Sequence, residues 1–253
     1  MVKEKIIIVG IGGPSCSGKT TLAKYLRKIL PGSSIIHQDD FAPPQALIPI
    51  HPVYGVQDWD SPAGCIQWDR MVSFLRKVRA SSGEIPPDHH SHDHLNEQKE
   101  VIASPDVIKR WTEEFRRIGE EREKEGEKVI WVLLDGFLLY WNQDVVDQID
   151  VRVFLRAPHD VLRQRRHARH GYHTAVQSDP EGELWRDPPN YWEQIVWPAY
   201  IEAHKHVFEN GNWESGVSSG NIKDLLIIDE LETGMTRAVN EVCEKVKRVV
   251  YSE

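Results

Sequence analysis

Residues 10–21 read GIGGPSCSGKTT and follow directly on the apolar run IIIV at 6–9. A plain connection from strand to helix needs a glycine or two. This one crowds glycines, a proline and small polar residues ahead of Lys19, Thr20 and Thr21. Positions 13–20 fit G-x-x-x-x-G-K-[ST], the phosphate-binding loop. Its glycines let backbone N–H groups curl around an anion, and the helix that follows points its positive end at the same place. Gly13, Ser15, Ser17, Gly18, Lys19, Thr20 and Thr21 are therefore candidate ATP contacts. The Lys19 ammonium is placed for the β- and γ-phosphates, and the Thr20 hydroxyl for Mg²⁺.

The rest of the chain alternates in the same style. Strand-length apolar runs fall at 5–9, 34–37, 129–134, 151–155 and 225–228, several of them nearly continuous. Continuous runs suit strands buried on both faces of a parallel sheet. Helix-like stretches lie between them, at 19–30, about 62–80, about 105–124, 158–169, about 190–209 and 233–249. Ser61-Pro62 and Ser104-Pro105 read as caps followed by a first-turn proline. The expectation is an α/β P-loop NTPase fold: a doubly wound, mostly parallel five-stranded sheet with helices on both faces.

The 253 residues are expected to form one domain, 1–253, with a surface insertion at about 81–128. Charge is 31 Lys and Arg against 39 Asp and Glu, a net −8, which argues against a nucleic-acid binder. No window is long and apolar enough to cross a bilayer, so no membrane partner is expected. Three scattered cysteines, Cys16, Cys65 and Cys243, indicate neither a disulfide framework nor a zinc site, and suit a reducing cytoplasm. The histidine-rich segment 88–94 and the charged run 120–128 read as solvated surface.

Acidic residues narrow the chemistry. His37-Gln38-Asp39-Asp40-Phe41 sets two carboxylates at the carboxyl end of the second strand, the edge where open α/β sheets bind ligands. Phosphoryl transfer to a hydroxyl needs one carboxylate to orient the acceptor and an acid to help hold Mg²⁺; Asp39 suits either task. Leu134-Asp135-Gly136 offers a second strand-end acid of the kind that sits beside a metal. Between 152 and 169 stand six arginines and one acid, Asp160. In so acidic a chain that cluster reads as a lid closing on phosphates, spanning about 163–187. Trp59 beside Asp60, and Tyr172 with His173 after the arginines, can sandwich a flat and preferably cationic ring.

Taken in order, GGPSCSGKTT, HQDDF, QDWDSP, LLDGFLL, RQRRHARHGY and DPPNYW resemble the nicotinamide riboside kinases, particularly the fungal type, within the uridine-kinase-like group. The resemblance runs from the first strand to about residue 209. It implies ATP-dependent phosphorylation of the 5′-hydroxyl of nicotinamide riboside, and of nicotinic acid riboside, in NAD salvage, by a cytoplasmic or nuclear monomer or weak homodimer. Asp39 would be the general base and, with Thr20 and Asp135, a ligand of Mg²⁺. Asp60 and Arg166 would hold the ribose, Trp59 and Tyr172 the ring, with Asp40, Phe41, His173 and Asp187 nearby. Arg165 and Arg169 would contact ATP phosphates, and Asp229 and Glu230 would lie near adenine. Animal members carry Glu where Asp135 stands, Tyr where Trp59 stands, and a shorter 81–128 segment. A uridine or cytidine kinase, another small-metabolite kinase, and an ATP-driven regulator without an acceptor are the competing readings.

Overall fold

A computed structural model describes residues 2–91, 93, 101–169, 171–176 and 179–252. Five strands make the central sheet: β1 (Lys3–Gly12), β2 (Ser34–His37), β3 (Glu127–Gly136), β4 (Val151–Arg156) and, after a hairpin numbered β5 (Tyr172–Val176) and β6 (Asp179–Trp185), β7 (Leu225–Asp229). Their spatial order is β2-β3-β1-β4-β7, and every pair in it is parallel. The continuous apolar runs are explained by two cores, one on each face. Helices α1 (Lys19–Ile29), α3 (Pro105–Lys124) and α7 (Glu230–Val250) cover one side. Helices α2 (Trp68–Ala80), the single turn α4 (Gln143–Val146) and α6 (Trp197–His204) cover the other. Strand order switches between β1, flanked by β3 and β4, so the loops after these strands open a crevice at one sheet edge.

The structure departs from the sequence reading in several places, each with a local cause. Helix α2 starts at Trp68 rather than near Pro62. The Asp58 carboxylate accepts hydrogen bonds from the backbone N–H groups of Asp60 and Ser61, which holds 58–61 in a turn. The stretch expected as one helix at about 190–209 is a π-turn, Trp192–Val196, running into α6. Pro198 has no N–H for the carbonyl of Gln194, and the turn before it widens. The antiparallel β5–β6 pair was not anticipated. Glu127, read as part of a solvated run, is buried as the first residue of β3 and ion-paired with Arg122 and Lys3. Within 81–128, α3 sends Trp111, Phe115 and Ile118 into the core.

Among the described residues no helix is long and apolar enough to cross a membrane. Of the segments singled out above, His92 and His94 lie outside the described residues, as do 170 and 177–178 of the expected lid.

Candidate active site

The glycine loop leaves β1 and enters α1 at Lys19. Gly13 has φ +137°, and a side chain there would put its Cβ 2.1 Å from the Leu155 carbonyl oxygen. Only glycine fits that approach. Gly18, at φ +91°, is the left-handed residue that starts α1. Lys19 is buried and its Nζ donates to the Pro14 carbonyl at 2.9 Å, across the concavity of the loop. Burial pulls the Lys19 pKa down, against the opposing charges of Asp135 and Asp39. Thr20 Oγ1 donates to Asp135 Oδ2.

Strands β2 and β3 end side by side, with His37 and Asp135 in register. His37 Nδ1 lies 3.2 Å from Asp135 Oδ2. Burial disfavours charge on His37, yet the hydrogen bond and the charges of Asp135, Asp40 and Asp93 prevail and raise its pKa to about 9. Burial would raise Asp135 in turn, but His37, Lys19 and Thr20 hold it below the usual carboxylate range. The 3₁₀ turn Gln38–Phe41 then aims Asp39 into the crevice. Surrounding protein and the neighbouring Asp135 push the Asp39 pKa upward, with Lys19 and His37 opposing.

Two cavities meet at Asp39. One, of about 70 Å³, lies over the phosphate loop and is lined by Cys16, Lys19, His37, Asp135 and Arg169. The other, of about 100 Å³, is walled by Trp59, Asp60, Arg166, Tyr172, His173 and Trp185. Asp39, Ser15, Phe137 and Tyr172 line both. The rings of Trp59 and Trp185 stand 5.7 Å apart. The guanidinium groups of Arg166 and Arg169 lie over the Tyr172 ring at 4.7 and 4.8 Å. Arg166 is buried, grips Asp187 through two hydrogen bonds of 2.6 and 3.0 Å, and lies 3.5 Å from Asp60. Burial lifts Asp60 to about 6, Arg166 opposing and Asp187 adding to the rise. The Tyr191 hydroxyl accepts from Trp59 N and donates to Gln57 O, fixing the Trp59 backbone.

Residues 9–186 match the AAA_18 family profile, described as an AAA domain. The nicotinamide riboside kinase of Schizosaccharomyces pombe (strain 972 / ATCC 24843) is 37% identical over 209 residues, covering 83% of this chain and 84% of that protein. That of Saccharomyces cerevisiae (strain ATCC 204508 / S288c) is 27% identical over 98% of this chain and 99% of its own length. Human nicotinamide riboside kinase 1 is 30% identical over 83% of this chain and 82% of its own. The chain belongs to the nicotinamide riboside kinase family.

Against the residues that family resemblance singled out, the geometry divides cleanly. Lys19, Thr20, Asp39 and Asp135 converge on one cavity. Trp59, Asp60, Arg166, Tyr172 and His173 converge on its neighbour, with Asp187 behind Arg166. Asp40 and Phe41 do not face the crevice, which corrects their expected place beside a riboside. Phe41 is a core residue against Phe74, and the Asp40 carboxylate is buried beside His89. Asp229 and Glu230 have their carboxylates engaged by arginines: Asp229 by Arg156, and Glu230 by Arg165 at 3.0 Å. Arg165 also donates to the Cys16 carbonyl, so it lies across the phosphate loop.

The arginine cluster splits by role. Arg152 and Arg156 bind carbonyls and Asp229, Arg163 pairs with Glu193 at the surface, Arg165 spans from the Cys16 carbonyl to Glu230, and Arg166 and Arg169 line the cavities. Sequence reasoning missed Trp185, His37 and Phe137. Trp185 stands two residues before Asp187 and donates its indole N–H to it at 3.0 Å, a local signal that was available.

Proposed function

We propose that this protein transfers the γ-phosphate of ATP to the 5′-hydroxyl of nicotinamide riboside, and of nicotinic acid riboside, yielding the mononucleotide for NAD salvage. One observation carries the reading: Asp39 lines both the cavity over the phosphate loop and the aromatic pocket beside it. A donor phosphate in the first and a sugar alcohol in the second meet at that carboxylate. Asp39 then accepts the hydroxyl proton, and the upward shift of its pKa by surrounding protein and Asp135 makes it a stronger base than a free carboxylate. Lys19, Arg165 and Arg169 neutralise charge on the transferring group. The lid assignment of 163–187 rests on these arginines.

Asp60 and Arg166 grip the ribose hydroxyls, and Trp59 and Tyr172 hold the pyridinium ring, with Trp185 beside Trp59. A cationic ring suits an aromatic and acidic pocket better than neutral uracil does. Asp135 Oδ1 is buried without a hydrogen-bond partner, next to the Thr20 hydroxyl, which fits a divalent cation. Thr20, Asp39 and Asp135 would hold Mg²⁺, which supplies charge neutralisation on the phosphates. Three free cysteines suit the reducing cytoplasm.

A side-by-side assay of nicotinamide riboside, nicotinic acid riboside, uridine and cytidine with ATP and Mg²⁺ tests the reading. The pyridine ribosides are expected to give the higher kcat/KM; a clear preference for a pyrimidine nucleoside contradicts it. Trp59→Ala should raise the riboside KM about 5–30-fold with kcat changed little, since a desolvated cation–π contact is worth ~1–2 kcal/mol. An unchanged KM removes Trp59 from the ring site.

Riboside affinity should also depend on pH through Asp60. As pH falls through about 6, Asp60 gains a proton and loses the charge that attracts the pyridinium and accepts ribose hydroxyls. KM for the riboside at saturating ATP is therefore expected to climb between pH 7 and 5, approaching ~10-fold per unit below the pKa. Asp60→Asn should show a high KM that is flat over this range. A wild-type acid limb surviving in that variant contradicts the assignment.

A further inference from the structure

The histidine-rich segment has no part in the chemistry above, yet one of its members reaches the catalytic turn. The turn Gln38–Phe41 is anchored at nearly every residue except the one that works. His37, just before it, is bound to Asp135, and the Gln38 side chain accepts from Leu138 N at 2.8 Å. Arg70 donates to the Asp40 carbonyl at 2.7 Å, and Phe41 is core. The Asp40 carboxylate, 2% exposed, meets the imidazole of His89, 9% exposed, with Nε2 3.3 Å from Oδ2.

The His89 ring is stacked on Phe41 at 5.6 Å and lies 4.5 Å from Phe74, so its plane is fixed by two aromatic neighbours. A second tie follows four residues later. Asp93 lies 2.8 Å from Lys24 and 3.8 Å from His37, the residue that pairs with Asp135. Residues 89 and 93 thus fasten the same segment to the turn that carries Asp39 and to the strand end before it.

Resting on the kinase reading above, we propose that the contacts of His89 and Asp93 strap the catalytic turn and that His89 is a positioning residue for Asp39. A buried carboxylate next to the base needs a fixed partner; breaking such a pair leaves charge poorly compensated in the core and frees the turn. A displacement of about 1 Å at a reacting group is enough to cost ~10²-fold in rate. His89 acts at one remove: it holds Asp40, and Asp40 holds the orientation in which Asp39 faces the crevice.

Two substitutions separate positioning from packing. His89→Phe keeps an aromatic ring against Phe41 and Phe74 and removes the polar contact with Asp40; His89→Gln keeps a polar group within reach of Asp40 and loses the ring. The expected result is a kcat at least ~10-fold below wild type in His89→Phe, KM for ATP within about twofold, and recovery of most of the rate in His89→Gln. Asp40→Asn should lower kcat alone and add little in the His89→Phe background, because the two act through one contact. Wild-type kcat in His89→Phe overturns the proposal. So does a rate that follows the melting temperature across all variants, or independent, additive losses at 40 and 89. Wild type is assayed alongside with pyridine and pyrimidine nucleosides, and the variants are compared on whichever acceptor it turns over best. A wrong substrate assignment therefore shows in the wild type alone, and a wrong strap shows only in the variants.

Discussion

Asp39→Ala is expected to lower kcat for riboside phosphorylation by about 10²–10⁴-fold, the range that a general base contributes, while riboside binding largely survives. Asp39 lines both cavities, whereas Asp40 beside it is turned into the core, with its Oδ2 3.3 Å from His89 Nε2. In the proposed reading binding rests on other groups, Trp59, Asp60, Arg166 and Tyr172, which line the aromatic pocket. Loss of Asp39 should therefore appear in turnover and hardly at all in the dissociation constant measured by calorimetry. A variant that keeps more than about a tenth of the wild-type rate contradicts the base assignment.

Lys19→Met should be the other severe lesion, with kcat/KM for ATP down by roughly 10²–10³-fold, the cost of removing one preorganised charge from a transition state. Methionine keeps most of the buried stem and deletes the ammonium, so the loop should retain its shape. That ammonium sits on the Pro14 carbonyl, between the charges of Asp135 and Asp39. Burial disfavours its charge, and the two carboxylates favour the charged form that a triphosphate requires. Steady-state kinetics with varied ATP, alongside a melting curve, checks this. A variant with near-normal kcat/KM for ATP would mean that the lysine is structural.

Much of this was legible in the chain. The runs IIIV and VLL demanded strands covered on both faces, and the 13–20 spacing has a mechanical reason that Gly13 and Gly18 bear out with their positive φ. Asp39, Lys19, Trp59 and Arg166 could be singled out because their neighbours in sequence carry the pattern. What escaped were directions and long-range contacts. Successive residues of a 3₁₀ turn point about 120° apart, so Asp40 and Phe41 face the core although they adjoin Asp39. His89 looked solvated because its apolar partners, Phe41 and Phe74, are distant in sequence. Trp185 went unnoticed, although it stands two residues before Asp187, because the hairpin bringing it to Trp59 has no continuous apolar run. Pro198 alone, in an otherwise helical stretch, decided the π-turn before α6.

The central claim is that phosphate donor and sugar acceptor meet at Asp39, and a crystal structure with nicotinamide riboside and a non-hydrolysable ATP analogue tests it most directly. The account predicts the triphosphate in the 13–20 loop, the pyridinium against Trp59 and Tyr172, and the riboside 5′ oxygen within hydrogen-bond distance of the Asp39 carboxylate. A riboside bound elsewhere, or one whose 5′ oxygen points away from Asp39 and the terminal phosphate, would contradict it.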